Sequence, residues 1–192
     1  MDVDDCIDTL ATVLEDGPLA LGFEAPMLVP ARSVAKELTR ARAGEGNRAF
    51  SAGAGAGSLV TGLVIVPYVL AGLKARLPAG FGTATMDWRT PPSKPGDLLL
   101  FEAFVTKQNK TANTRHVEDA LAAIDAFERG ARGAAPAVSA IGETNCMSLL
   151  GAALLHSGWT TDLGVLAQPC LVVVGGVAET VAALPLGSRR AL

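Results

Sequence analysis

Two apolar segments of this chain each carry one acid, and both read Phe-Glu-Ala. Residues 19–26 hold Glu24 and residues 98–105 hold Glu102. Segments this short and this apolar are predicted strands, the second the stronger of the two. A carboxylate at the end of a buried strand is costly unless its charge is compensated. A metal ion in that role would make the pair a catalytic centre. An arginine or lysine would make it framework. The residue pattern alone leaves both readings open.

The segments around these strands read as helices. Ile7, Leu10, Ala11 and Leu14 recur at helical spacing behind Asp2, Asp4 and Asp5, which complement a helix N-terminus. Asp16-Gly17-Pro18 ends that helix. The strand at 19–24 then places Leu19, Leu21 and Phe23 on one face and Ala20, Gly22 and Glu24 on the other. A short helix is expected over 31–42, with Val34, Leu38 and Ala41 inward and Arg32, Lys36, Arg40 and Arg42 on its other faces. Residues 44–57, which include Arg48, read as a flexible connection. It leads to Ser58, the expected cap of a helix over 59–76. That helix is apolar nearly all round, hence expected to be buried, and Pro67 should kink it.

Residues 77–97 read as a Pro/Gly-rich loop and 107–115 as a basic one. Between 116 and 129 the spacing predicts an amphipathic helix with Val117, Ala120, Leu121, Ile124 and Phe127 on its apolar stripe. Asn145 is the expected cap of a helix from 146 to 156, and 169–174 is a late strand. Residues 177–192 are a weakly patterned tail. The alternation of helices and strands predicts a single α/β domain over 1–192.

Composition narrows the function classes. A net charge of -3 removes any general basic footprint for nucleic acid, though not a local patch. The three cysteines, Cys6, Cys146 and Cys170, have no metal-ligand spacing. Their odd, sparse count without a secretory signal points to reduced thiols and a cytoplasmic location. The apolar run 59–73 is shorter than a membrane span, so no membrane partner is expected.

Few residues could carry chemistry. If the two strands are neighbours, Glu24 and Glu102 could meet at one edge, where paired carboxylates must share a proton or hold a cation. All-oxygen ligands suit Mg²⁺ or Mn²⁺, and two such ions support phosphodiester hydrolysis. Asp119 could add a third carboxylate from a helix, or could simply complement that helix's N-terminus. Basic residues follow both strands: Arg32, Lys36, Arg40, Arg42 and Arg48 after the first, and Lys107, Lys110 and Arg115 after the second. Acids ringed by bases match a nuclease, and also an ordinary neutralised surface. The glycine run 53–57 could hold a phosphate at a helix N-terminus, but it matches neither G-x-G-x-x-G nor a Walker A motif. No G-x-S-x-G elbow supports a hydrolytic triad.

A family likeness joins these features. Leu21-Gly22-Phe23-Glu24-Ala25-Pro26, followed by Pro30 and Arg32, resembles the acid-ending strand of an uncharacterised family of predicted RNase H-like nucleases. Residues 99–105 with Glu102 resemble the family's later strand. His116-Val117-Glu118-Asp119-Ala120-Leu121 resembles its acidic helix, of which residues 148–153 could be a degenerate form. The likeness spans residues 17–174. It implies an RNase H-like mixed sheet flanked by helices. It also implies Mg²⁺ or Mn²⁺ on Glu24, Glu102 and Asp119 as catalytic ligands, with Arg32, Arg48 and Lys110 on the phosphate backbone of a nucleic acid. One element departs from the pattern. RNase H-like folds open with a β-hairpin whose first strand carries a metal-binding Asp, and here no strand precedes the first helix. The expectation is therefore an N-terminally truncated member, inactive if that Asp is missing. The competing expectation is a non-catalytic binding or assembly protein of the same fold that forms a homodimer through its open sheet edge.

Overall fold

The computed structural model describes residues 2–46, 49–105, 115–131 and 138–175. The expected tail, the loop containing Lys110, and Arg48 lie outside the described residues. Helix α1 (Val3–Asp16) opens on a reciprocal cap in which Asp2 accepts from the Asp5 N–H and Asp5 accepts from the Asp2 N–H. Ile7, Ala11 and Leu14 form its buried stripe.

Strand β1 (Leu19–Phe23) follows at once and pairs in parallel with β4 (Asp97–Val105). The register sets Leu19 against Leu98 and Phe23 against Glu102. On its other edge β4 carries two short strands in tandem, both parallel to it. β3 (Thr83–Thr85) lies beside its first residues, and β6 (Leu171–Gly175) lies beside residues 101–105. β4 is therefore the central strand of a four-stranded parallel sheet. An antiparallel ribbon of β2 (Leu28–Pro30) and β5 (Cys146–Ser148) stands apart from it. The α/β class holds, with the antiparallel pairing confined to this ribbon.

Helices cover both faces, as a parallel sheet requires. Leu98, Leu100 and Val172 face a large core built with α1, α2 (Gly53–Arg76) and α4 (Leu149–His156). Trp159 closes that core, its indole N–H donating to the Leu70 carbonyl. Phe101, Ala103 and Leu171 face the opposite way. There they meet Ala123 of α3 (Arg115–Ala131), with Phe127 stacked on Phe101 and Trp88 packed alongside.

Several expected elements differ. Residues 31–42 form no α-helix; they make a strap with one 3-10 turn at Ala35–Glu37, and Val34 and Leu38 are exposed. Helix α2 begins at Gly53, so the glycine run forms its first turns and Ser58 is not its cap. It continues through Pro67, and it is not buried all round: Val60, Leu63, Val64, Ile65 and Tyr68 are exposed. It is also long and apolar enough to cross a membrane by length and composition. The loop 77–97 contains β3. Residues 146–148 are a strand, and Ser148, not Asn145, caps α4. Most of the expected apolar stripe of α3 points outward, with Val117, Leu121 and Ile124 exposed, but Phe127 packs inward on Phe101, and Asp119 and Ala123 are buried.

Candidate functional site

Glu102 lies on the same face of β4 as Leu98 and Leu100, because strand side chains alternate. It is 1% exposed. Its compensation is an arginine. Arg42, 2% exposed, donates from Nη2 to Glu102 Oε1 at 2.6 Å and from Nη1 to Oε2 at 2.8 Å. The Met27 N–H donates to the same Oε2 at 2.8 Å. This is a bidentate pair with an added backbone donor, the geometry in which a buried carboxylate is best satisfied. Glu45, also buried, accepts from Arg42 Nε, Nη2 and backbone N–H, and the Leu28 carbonyl takes the remaining Nη1 contact. Burial pushes the Glu102 carboxyl above its usual range, and Arg42 and the Met27 N–H pull it part of the way back.

The local sequence explains how Arg42 arrives there. After β2 comes the strap 31–46, in which a turn at Ala43–Gly44 brings Glu45 back onto Arg42. Gly44 sits at φ 100°, and a Cβ there would strike the Ala140 carbonyl oxygen. The strap is fastened a second time by Arg32, which gives Nη2 to Glu143 Oε1 at 2.7 Å and Nη1 to Oε2 at 3.3 Å. The Ala43 N–H joins the same Glu143 carboxylate.

The remaining expected site residues are distributed differently. Glu24 follows the last residue of β1 and is exposed, beside a cavity of about 430 Å³ that Phe23, Ala25 and the first turns of α2 also line. Asp119 is buried in α3, whose Ala123 packs with Phe101 and Ala103 on the face of β4 opposite to Glu102. The sheet therefore separates Asp119 from Glu102. Among the described residues no three His, Cys, Asp or Glu side chains gather as a group that could hold a metal ion. The donor set that Mg²⁺ or Mn²⁺ would need is not assembled by Glu24, Glu102 and Asp119 within them. Of the expected phosphate contacts, Arg32 is committed to Glu143.

Arg42 and Glu45 are the residues that sequence reasoning missed as partners. Their signal was indirect: a buried glutamate demands a cation, and five bases follow β1. Comparison with protein-family models, curated proteins and solved structures finds no match to this chain.

Proposed function

We propose that this chain is a non-catalytic assembly protein of RNase H-like architecture that forms a homodimer through the edge of β1. The observation that carries the reading is the one-sided pairing of β1. Its strand partner is β4, and among the described residues no strand pairs with its other edge, the kind of edge to which another strand can add. The Arg42–Glu102 pair supports the non-catalytic half of the reading, since it spends both oxygens of the acid that the nuclease likeness would place on the metal. A cytoplasmic location belongs to the same proposal, supported by three free thiols.

Light scattering across a concentration series tests it. A dimer that dissociates on dilution, and that Ala20→Lys converts to monomer, is the expected result. A monomer at every concentration overturns the reading.

A second reading, a metal-dependent nuclease, draws on one specific observation. Glu24 follows the carboxyl end of β1, and open parallel sheets bind their ligands at that edge. Glu24 would be a ligand in that reading, with its other donors supplied from elsewhere. Calorimetric titration with Mn²⁺ decides it. Binding weakened by Glu24→Gln favours the nuclease. No heat of binding and no rise in melting temperature eliminate it.

A further inference from the structure

We infer that the outward stripe of α3 is the docking surface for this chain's own C-terminal segment, residues 181–192. Val117, Leu121 and Ile124 are 70%, 55% and 49% exposed. Their spacing sets them one above the other along one side of the helix. Three apolar side chains in a row form a face, unlike the scattered singles that any surface carries. The inference stands apart from the dimer reading, which concerns the edge of β1, whereas α3 packs on residues of β4 and β6.

Composition selects the occupant. Three segments adjoining α3 lie outside the described residues: 106–114 before it, 132–137 after it, and 176–192 beyond β6. The first reads Thr-Lys-Gln-Asn-Lys-Thr-Ala-Asn-Thr and the second Arg-Gly-Ala-Ala-Pro-Ala. Neither has a side chain able to bury an apolar row. The third carries Val177, Val181, Leu184, Leu186 and Leu192.

The path of the chain delivers that segment to the helix. Gly175, the last residue of β6, lies so close to α3 that a Cβ there would sit 3.0 Å from Ala122 C and Ala123 N. The chain therefore leaves β6 against the middle of the same helix. Residues 176–181 span about 20 Å when extended. Half the circumference of a helix with its side chains is roughly 17 Å. Val181 is thus within reach of the outward side, and the rest of the segment follows it.

Charge agrees. Glu118, Asp125 and Glu128 of α3 are exposed beside the stripe, and Arg129 is the single cation of residues 117–131. Residues 181–192 contain no acidic side chain and carry Arg189 and Arg190. Opposite signs favour the pairing and orient it.

Thiol labelling of the full chain tests the inference. In a Cys6→Ser background, with Cys146 and Cys170 buried, Leu121→Cys puts one reactive thiol on the stripe. Circular dichroism and melting temperature establish that each variant folds, as substitution at an exposed position allows. A tethered segment meets its site at a millimolar effective concentration, so a site of about 0.1 mM intrinsic affinity is occupied roughly tenfold over. Labelling is therefore expected to quicken about tenfold when Val181→Asp and Leu184→Asp are added, at every protein concentration. Tenfold is about 1.4 kcal/mol, shared among three side chains of the stripe. An equal rate with and without the two aspartates overturns the inference. Protection that disappears on dilution assigns the stripe to a second copy and overturns it as well.

Discussion

Arg42 holds two carboxylates, a backbone carbonyl and the path of a strap, all at a position 2% exposed. Arg42→Ala would leave Glu102 and Glu45 buried without their cation, and the expected loss is about 3–5 kcal/mol in urea denaturation. Glu102→Gln keeps an oxygen for the Met27 N–H and should cost less. Its pH behaviour follows from the raised Glu102 carboxyl. The folded state binds that proton more tightly than the unfolded chain does. The stabilisation is complete below the ordinary value of 4.5 and fades as pH rises through the higher folded value. Glu102→Gln should flatten that part of the stability profile, as denaturation from pH 4 upward would reveal. Asp97 behaves in the opposite sense. The Ser93 and Lys94 N–H groups hold its carboxyl below 3.8, so its contribution is lost as pH falls through the acid range. The need for a cation at Glu102 was legible from two Phe-Glu-Ala segments. Its supplier was not, because Arg42 lies 60 residues away in a segment whose helical spacing is overridden by tertiary contacts.

Helix α3 was legible in extent and illegible in orientation. Its large apolar side chains at 117, 121 and 124 face outward, and the reason lies in the sheet beneath. Gly175 of β6 meets the helix backbone so closely that a Cβ there would sit 3.0 Å from Ala122 C and Ala123 N. Only the alanine side of the helix permits that approach there, so of the expected stripe only Phe127, nearer the end of the helix, packs inward. Ala123→Leu should therefore destabilise by about 1–3 kcal/mol, while Leu121→Ala should change stability by under ~0.5 kcal/mol. Chemical denaturation of the two variants checks the contrast, and the reverse ranking would contradict the packing. Helix α4 has an equivalent constraint at Gly151, where a Cβ would fall on the Val165 carbonyl oxygen. The same mismatch between apolarity and burial runs through α2. Its composition announced a buried helix, yet one face is open. Composition reports how much apolar surface an element has, not whether this chain has enough neighbours to cover it.

At the scale of the molecule, the strands were legible because apolar runs between Gly and Pro breaks leave few alternatives. β1, β4 and β6 appear within a residue or two of their expected positions. Pairing was not legible: nothing in the residues of β3 marks it as a strand beside the start of β4. Redox behaviour follows the same layered plan. Cys146 and Cys170 are buried and their thiols are pushed above the usual range by desolvation, whereas Cys6 is exposed on α1. A disulfide exchange reagent should label one thiol rapidly in the folded protein and the other two only on unfolding.

The two tryptophans give the sheet a use at the bench. Trp159 is sealed in the core on one side of β4, and Trp88 packs against Phe101 on the other, with Arg89 over its ring. Each indole is thus an optical reporter of a different layer. Trp88→Phe leaves emission from one side, and Trp159→Phe leaves emission from the other. Because β4 contributes residues to both layers, the two emission curves should shift at the same denaturant concentration. Separate midpoints would mean that one layer can melt while its neighbour keeps its fluorescence.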